Sequence, residues 1–304
     1  MAHYYKALTF AALLLAGTAT TAQTTQPEIA YASTTSSGRS EVYLTNRTGT
    51  SRSLLYRSRA GYEIHHVDIK PGGGELAIEE HKRSASLRET ASVVKIIKYE
   101  PTGTLIGPIR TLLTLSCRTG SLDYHPNDGT LLYRDCLTPK RIRRLNTTTS
   151  INTDLGLVRD AFIASWLTAT SILYWNTSAD VNYLDRKFWT VSTDNLNNPT
   201  EVLAHSSPGS LDTSTSGGMA LSSYGSERME LLQITSSPPQ IDLYMNENGR
   251  GHFSPDIDNL HVAYITRSSP SQPDQYVLIH RFDGAGSPTM VAGAGTYTAL
   301  DWRN

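Results

Sequence analysis

The sequence has few cysteines, almost no excess charge, and no long apolar run beyond its first residues. Only Cys117 and Cys136 occur in 304 residues, too few for a cysteine-rich zinc site. The 27 basic and 28 acidic residues give a formal net charge of −1, whereas a general nucleic-acid binder needs a strong basic excess. Long amphipathic helical patterns are also missing, while Thr, Ser, Tyr and Gly are abundant. The composition therefore indicates strands and turns, and no nucleic-acid partner.

The N-terminus has the pattern of a secretory signal peptide. Lys6 precedes an apolar run from Ala7 to Ala16, and small residues follow as far as Ala22. A membrane-spanning helix needs roughly 20 apolar residues, so a retained anchor is the less favoured alternative. We expect residues 1–22 to be a signal peptide cleaved near Ala22, residues 23–304 to form the mature protein, and that protein to be periplasmic or secreted without a membrane span.

The two cysteines flank one predicted strand pair. In an exported protein Cys117 and Cys136 are a candidate disulfide closing a loop of about 20 residues, which the chain-entropy model values at roughly 3 kcal/mol. The alternative is two buried free thiols. Sequence does not supply the Cα separation that decides between them.

The segment Gly120–Tyr133 is the unit that the chain repeats. It consists of a short apolar strand, the turn His125-Pro-Asn-Asp-Gly129 and a second strand ending in Tyr133. Asn, Asp and Gly tolerate positive φ, and Pro126 cannot donate to a strand ladder. The unit therefore predicts an antiparallel hairpin.

The second strand of this unit recurs at intervals of roughly 45 residues, a spacing typical of propeller blades. A third strand follows each copy, and in most copies a turn and a fourth apolar strand follow. Four antiparallel strands per repeat predict an all-β, six-bladed β-propeller. The copies begin at Ile29, Leu76, Leu131, Ile172, Met219 and Val262.

The two ends of the chain complement each other. Ile29 enters at a second-strand position, whereas Tyr297–Asn304 has the character of a first strand with no second strand after it. We expect the C-terminal strand to join the N-terminal blade and close the ring, leaving no open edge at the seam.

The repeat pattern resembles the blades of the TolB-like, WD40-like six-bladed propellers. The resemblance rests on Ile29-Ala-Tyr31, Ser40–Gly49, Asp123–Gly129 and His252–Leu260, and it covers nearly all of residues 23–304 as one domain. It implies a secreted or periplasmic, non-enzymatic propeller whose loops at one end of the channel bind a protein or peptide partner.

Aspartates recur in the predicted first strands, which line the channel of a propeller. Asp68, Asp123 and Asp301 occupy equivalent positions, and together they suit a basic group or a cation such as Ca²⁺. The alternative is that each aspartate hydrogen-bonds a neighbouring turn or backbone amide as part of the repeat. The candidate binding residues are Asp68, Lys70, Asp123, His125, His252, Asp301 and Arg303.

A second group contains potential metal ligands close together in sequence: His65, His66, Glu79, Glu80 and His81. Successive residues of a regular strand point to opposite faces, so His65 and His66 would not face one ion. This pattern favours a solvated blade edge. The basic run from Lys140 to Arg144 is interpreted in the same way.

The sequence contains no motif that identifies a reaction. It lacks a Gly-x-Ser-x-Gly elbow and a sialidase-type aspartate box. We therefore expect a non-enzymatic binding protein without a cofactor. The alternative is a carbohydrate-binding protein or a metal-assisted enzyme that uses Asp68, Asp123, Asp301 or His252 at the channel mouth.

Overall fold

A computed structural model describes most of the chain. The predicted signal peptide, Cys117, Cys136, Lys140 and Arg303 lie outside the described residues, and His252 is described only as part of a strand. The described ranges are 29–82, 91–116, 119, 121–135, 141–156, 161–176, 187–204, 208–213, 219–224, 228–234, 239–246, 252–257, 261–267, 274–281 and 287–302.

The described strands form six four-stranded antiparallel sheets. The first sheet contains β1 (Ile29–Thr34), β2 (Ser40–Thr45), β3 (Arg52–Arg57) and the final strand β24 (Tyr297–Trp302). The second contains β4 (Tyr62–Ile69), β5 (Glu75–Lys82), β6 (Ser92–Lys98) and β7 (Arg110–Leu115). The third contains β8 (Leu122–Tyr124), β9 (Thr130–Arg134), β10 (Ile142–Asn146) and β11 (Asn152–Asp154).

The other three sheets each use four consecutive strands. The fourth contains β12 (Ala161–Thr168), β13 (Ser171–Asn176), β14 (Lys187–Ser192) and β15 (Thr200–Ala204). The fifth contains β16 (Pro208–Thr213), β17 (Met219–Tyr224), β18 (Arg228–Gln233) and β19 (Gln240–Asn246). The sixth contains β20 (His252–Ile257), β21 (His261–Arg267), β22 (Gln275–Arg281) and β23 (Thr289–Gly295).

The C-terminal strand completes the N-terminal sheet, as the sequence predicts. β24 pairs antiparallel with β1, with Ile29 opposite Trp302 and Tyr31 opposite Leu300. Trp302 and Tyr31 are buried in one apolar cluster with Val277 of the sixth sheet. The two chain ends are therefore held together by a strand ladder and by core packing.

The sheets pack face to face in sequence order. The inner strands of neighbouring sheets make contact in the order β24, β4, β8, β12, β16 and β20, and β20 in turn contacts β24. Buried apolar clusters fill the spaces between sheets; one of them joins Val42 of the first sheet to Ile64 and Leu76 of the second. The architecture is a propeller of four-stranded antiparallel blades, whose core consists of these layers between blades. Within the described ranges, no helix is long and apolar enough to cross a membrane.

Candidate functional site

A cavity of about 290 Å³ lies at the C-terminal ends of the inner strands. Five of the six sheets contribute to its wall, through β24, β4, β8, β12 and β16. No lysine, arginine or histidine is among its described lining residues. These residues are Asp68, Ile69, Pro71, Asp123, Tyr124, Pro126, Asn127, Trp166, Leu167, Asp212, Thr213, Asp301 and Trp302. We call this site the aspartate cavity, after its four acidic residues.

Three of the aspartates also link neighbouring blades. Asp301 Oδ2 accepts a hydrogen bond from the backbone N–H of Ile69 at 2.6 Å, and Asp123 Oδ2 accepts one from Trp166 at 2.6 Å. Asp68 Oδ2 accepts from the backbone N–H of Tyr124. Each bond joins one inner strand to the next, as the repeat interpretation of these aspartates predicts. The same three carboxylates line one cavity, and a ligand bound there stays a prediction. Hydrogen bonds to charged groups contribute roughly 1.5–3 kcal/mol each.

Aromatic side chains form part of the wall. Trp166 and Trp302 are almost fully buried, and Tyr124 donates its phenolic hydrogen to Glu75 Oε1 at 3.0 Å. Burial raises the pKa of Tyr124 well above its usual value, and the carboxylates of Glu75 and Asp68 raise it further. This tyrosine therefore remains a neutral hydrogen-bond donor, and the charge of the cavity wall comes from the aspartates.

His125 and Lys70 lie outside the cavity lining. The backbone N–H groups of Asn127 and Asp128 both donate to His125 Nδ1 at 3.1 Å. The other ring nitrogen is therefore the N–H donor, and it lies 2.8 Å from the carbonyl oxygen of Ala169, in the turn between β12 and β13 of the fourth sheet. His125 thus organises its own turn and ties the third sheet to the fourth. The ammonium end of Lys70 lies against Gly129, where an added Cβ would meet Nζ at 2.9 Å.

The fourth acidic residue, Asp212, was not among the predicted site residues. Its repeat lacks the proline that lies three residues after Asp68 and Asp123. A shorter signal was present, because an apolar residue precedes the aspartate at all four positions. These pairs are Val67-Asp68, Leu122-Asp123, Leu211-Asp212 and Leu300-Asp301.

The histidine-rich segment departs from the regular strand assumed from sequence. In the β4–β5 ladder Ile64 pairs with Glu80 and His66 pairs with Glu79, so His65 is the extra residue of a β-bulge. His65 Nε2 lies 3.6 Å from Glu63 Oε2, on the same side of the sheet as His66 and Glu79. The strand is therefore not regular at His65, and the alternation expected of a regular strand does not separate His65 from His66, because a bulge redirects a side chain.

The two adjacent glutamates of β5 lie on opposite faces and are both buried. Glu79 accepts hydrogen bonds from Ser92 Oγ at 2.7 Å and from the backbone N–H of Thr119 at 2.8 Å. Burial acts to raise the pKa of Glu79, but His66 and these hydrogen bonds outweigh it, so the pKa lies below its usual value. Glu80 instead pairs with Lys95 on the other face. Both carboxylates therefore have partners in the protein.

Comparison with known proteins identifies a fold and no family. No family model matches the chain, and no curated protein matches it. Oligogalacturonate lyase from Vibrio parahaemolyticus superposes with a TM-score of 0.52 at 10% identity, over 82% of this chain and 70% of the lyase. An oligogalacturonate lyase in complex with manganese superposes with a TM-score of 0.50 at 10% identity, over 84% of this chain and 74% of the lyase.

A third similar structure is the propeller domain of the Trilobed protease from Pyrococcus furiosus. It superposes with a TM-score of 0.51 at 11% identity, over 88% of this chain and 83% of that domain. That domain is described as having an open Velcro topology, whereas in this chain β24 pairs with β1. At these identities the three similarities establish the β-propeller fold alone.

Proposed function

We propose that this protein is a non-enzymatic propeller that binds a basic side chain of a protein or peptide partner in the aspartate cavity. The observation that carries the proposal is the convergence of Asp68, Asp123, Asp212 and Asp301 on one cavity with aromatic walls. Carboxylates form charge-assisted hydrogen bonds with ammonium and guanidinium groups. The rigid inner strands hold these groups in place before a ligand arrives.

The size and charge of the cavity restrict the ligand. A volume of about 290 Å³ is at the lower limit of small-molecule sites, so one extended side chain fits better than an oligosaccharide. A polyanion such as an oligogalacturonate would be repelled by four carboxylates. The aspartate cavity therefore does not support the binding of an oligogalacturonate by this chain.

The fold supports the wider context of this role. We infer that the six sheets are six blades of one closed ring, because the inner strands contact in a closed circle and β24 completes the first sheet. The TolB-like blade pattern and the predicted signal peptide support a location in the periplasm or outside the cell. In that setting a propeller with an acidic cavity is suited to binding a basic segment of another envelope protein.

A divalent cation is the competing occupant, because four carboxylates also suit Ca²⁺. Calorimetry on the mature chain distinguishes a basic side chain from a divalent cation as the occupant. The probes are CaCl₂ and acetyl-Ala-X-Ala-amide peptides, in which X is Lys, Arg, norleucine or Glu. We expect the Lys and Arg peptides to bind, the other two not to bind, and salt to weaken the binding. Equal binding of the norleucine peptide, or a response to CaCl₂ with none to the basic peptides, would overturn the proposal.

Replacing Asp68, Asp123 and Asp301 together by Asn tests the site directly. Each Asn retains a side-chain oxygen that accepts the amide of the next blade, so the fold is expected to survive while three charges are lost. We expect the affinity for the Lys peptide to fall at least about tenfold, which is 1.4 kcal/mol. The matched control changes the exposed residues Glu100, Asp194 and Asp274 to their amides, with the same loss of charge. An equal loss of affinity for the Lys peptide in the control would show that the net charge of the protein attracts the peptide, and that the cavity is not a specific site.

A further inference from the structure

A second group of chemically active side chains lies at the other end of the inner strand β4. The ligand atoms of Glu63, His65 and His81 all lie within 4.8 Å of one another. The imidazole rings of His65 and His81 have centroids 3.6 Å apart. Along the strand, Glu63 is five residues from Asp68, or roughly 16 Å, so the group is separate from the aspartate cavity.

The fold assembles this group from two paired strands. Glu63 of β4 is the direct cross-strand partner of His81 of β5, which places both side chains on the face that packs toward the third sheet. The bulge at His65 adds a third ligand on the same face. His81 is buried, while the side chains of His65 and Glu63 are 17% and 24% exposed. The group is therefore held by rigid backbone and stays open on one side.

Two imidazoles and one carboxylate are a ligand set for a transition metal. Ca²⁺ and Mg²⁺ prefer oxygen ligands alone, whereas Zn²⁺ binds histidine and glutamate together. A tetrahedral zinc ion with bonds of about 2.0–2.1 Å holds its ligand atoms about 3.3 Å apart. Glu63 Oε2 and His65 Nε2, at 3.6 Å, are close to that spacing already. The other pairs of ligand atoms in the triad are at most 4.8 Å apart, so side-chain rotation would have to shorten them by about 1.5 Å or less.

We propose that Glu63, His65 and His81 bind one divalent transition-metal ion of the zinc class. Three protein ligands leave the fourth position of a tetrahedral ion to water or to a small ligand, as in sites where zinc is reactive. The sequence pattern concealed this site, because regular alternation separates His65 from its neighbours and only the bulge brings the ligands together. The proposal is independent of the function assigned to the aspartate cavity.

Zinc titration of the chelator-treated mature chain tests the proposal. Calorimetry is expected to show one Zn²⁺ per chain, and an excess of Zn²⁺ is expected to raise the melting temperature, because an ion bound only by the native state stabilises it. No binding above the level of a buffer blank, or several weak equivalent sites, would overturn the assignment.

Variants identify the ligands. Glu63→Gln and His65→Asn are each expected to lower zinc affinity by at least about 100-fold, since even outer-shell partners of metal ligands contribute 10- to 100-fold. Both residues are partly exposed, and circular dichroism verifies that each variant is folded. His66→Asn is the matched control, because it removes the adjacent imidazole, whose Nε2 lies 3.5 Å from Glu79 Oε2.

Zinc binding by the His66→Asn control and by a variant without cysteines gives the results that would contradict the proposal. Retained tight binding in the His66→Asn variant supports the triad. An equal loss in that variant would assign zinc to nonspecific chelation by the histidine segment. Loss of binding in a Cys117→Ser, Cys136→Ser double variant, with normal binding in His65→Asn, would assign the ion to the thiols. Either of the last two results overturns the proposal.

Discussion

The buried ion pair between Glu80 and Lys95 allows a sharp prediction about the second sheet. The Glu80 side chain is fully buried and that of Lys95 is 11% exposed, and the ammonium of Lys95 binds Glu80 Oε2. Tyr56 donates to Glu80 Oε1 at 3.0 Å, and the backbone N–H of Arg59 donates to the same oxygen at 3.1 Å. Lys95→Met keeps the length of the side chain and removes its charge. The carboxylate is then left buried with neutral donors and the more distant Arg59 guanidinium.

The expected cost follows from the desolvation of that carboxylate. Breaking a buried pair by removing one partner typically costs 3–5 kcal/mol, and because Arg59 Nη2 remains 3.4 Å from Glu80 Oε2 we expect about 3 kcal/mol at pH 7. Such a loss is a large fraction of the 5–15 kcal/mol that stabilises a typical domain. Urea unfolding followed by tryptophan fluorescence measures it.

The loss should depend on pH with a definite sign. Burial acts to raise the pKa of Glu80, but Lys95, Arg59 and Tyr56 outweigh it, so the pKa lies below its usual value. In the wild type this carboxylate therefore stabilises the fold above the unfolded pKa of about 4.3, and that stabilisation is lost as pH falls through the folded pKa. In Lys95→Met we expect the folded pKa to rise above the unfolded value, so that the variant is penalised at neutral pH and the penalty fades as pH falls.

The loss of stabilisation in the wild type and the fading penalty in Lys95→Met both reduce the stability difference between the two proteins as pH falls. The difference in unfolding free energy between wild type and Lys95→Met should be about 3 kcal/mol at pH 7 and clearly smaller at pH 4, where the carboxyl of the variant is protonated and that of the wild type begins to lose its charge. The double variant Glu80→Gln, Lys95→Met should be more stable than Lys95→Met at pH 7 and should lose this pH dependence. A difference that is equal at both pH values, or a double variant less stable than the single one, would refute the reasoning.

Two further predictions concern the ring closure and the cysteines. Deleting residues 297–304 removes β24 with three large buried side chains, Tyr297, Leu300 and Trp302, each worth roughly 1.5–3 kcal/mol, so the truncated protein should be unfolded or aggregated at 25 °C. An unchanged melting temperature would show that the ring does not depend on this strand. Cys117 and Cys136 should be linked in the non-reduced exported protein; mass spectrometry that finds both thiols free would reject the disulfide.

Much of the architecture could be predicted because it depends on local chemistry. Strand β9 follows a Pro-Asn-Asp-Gly turn, and a turn of this type forms a hairpin wherever it lies in the chain. The C-terminal strand was recognised because Tyr297–Trp302 has the pattern of a first strand without a second. The repeat also predicts that three aspartates lie close together, because equivalent positions of a repeat meet in space when the repeats form a ring. These are Asp68, Asp123 and Asp301.

What could not be predicted depends on register and on contacts between blades. Asp212 reaches the cavity through packing of a repeat whose turn signal is weak, and only the assembled ring shows its position. The sequence around His125 does not distinguish a side chain that faces the channel from one that joins two sheets. The hydrogen bond to the carbonyl of Ala169 shows that His125 joins two sheets. The bulge at His65 is the clearest case, because one extra residue moves a side chain to the other face. Sequence sets the alternation of a strand, but only the pairing of β4 with β5 determines where that alternation is broken, since the ladder partner lies outside the strand itself.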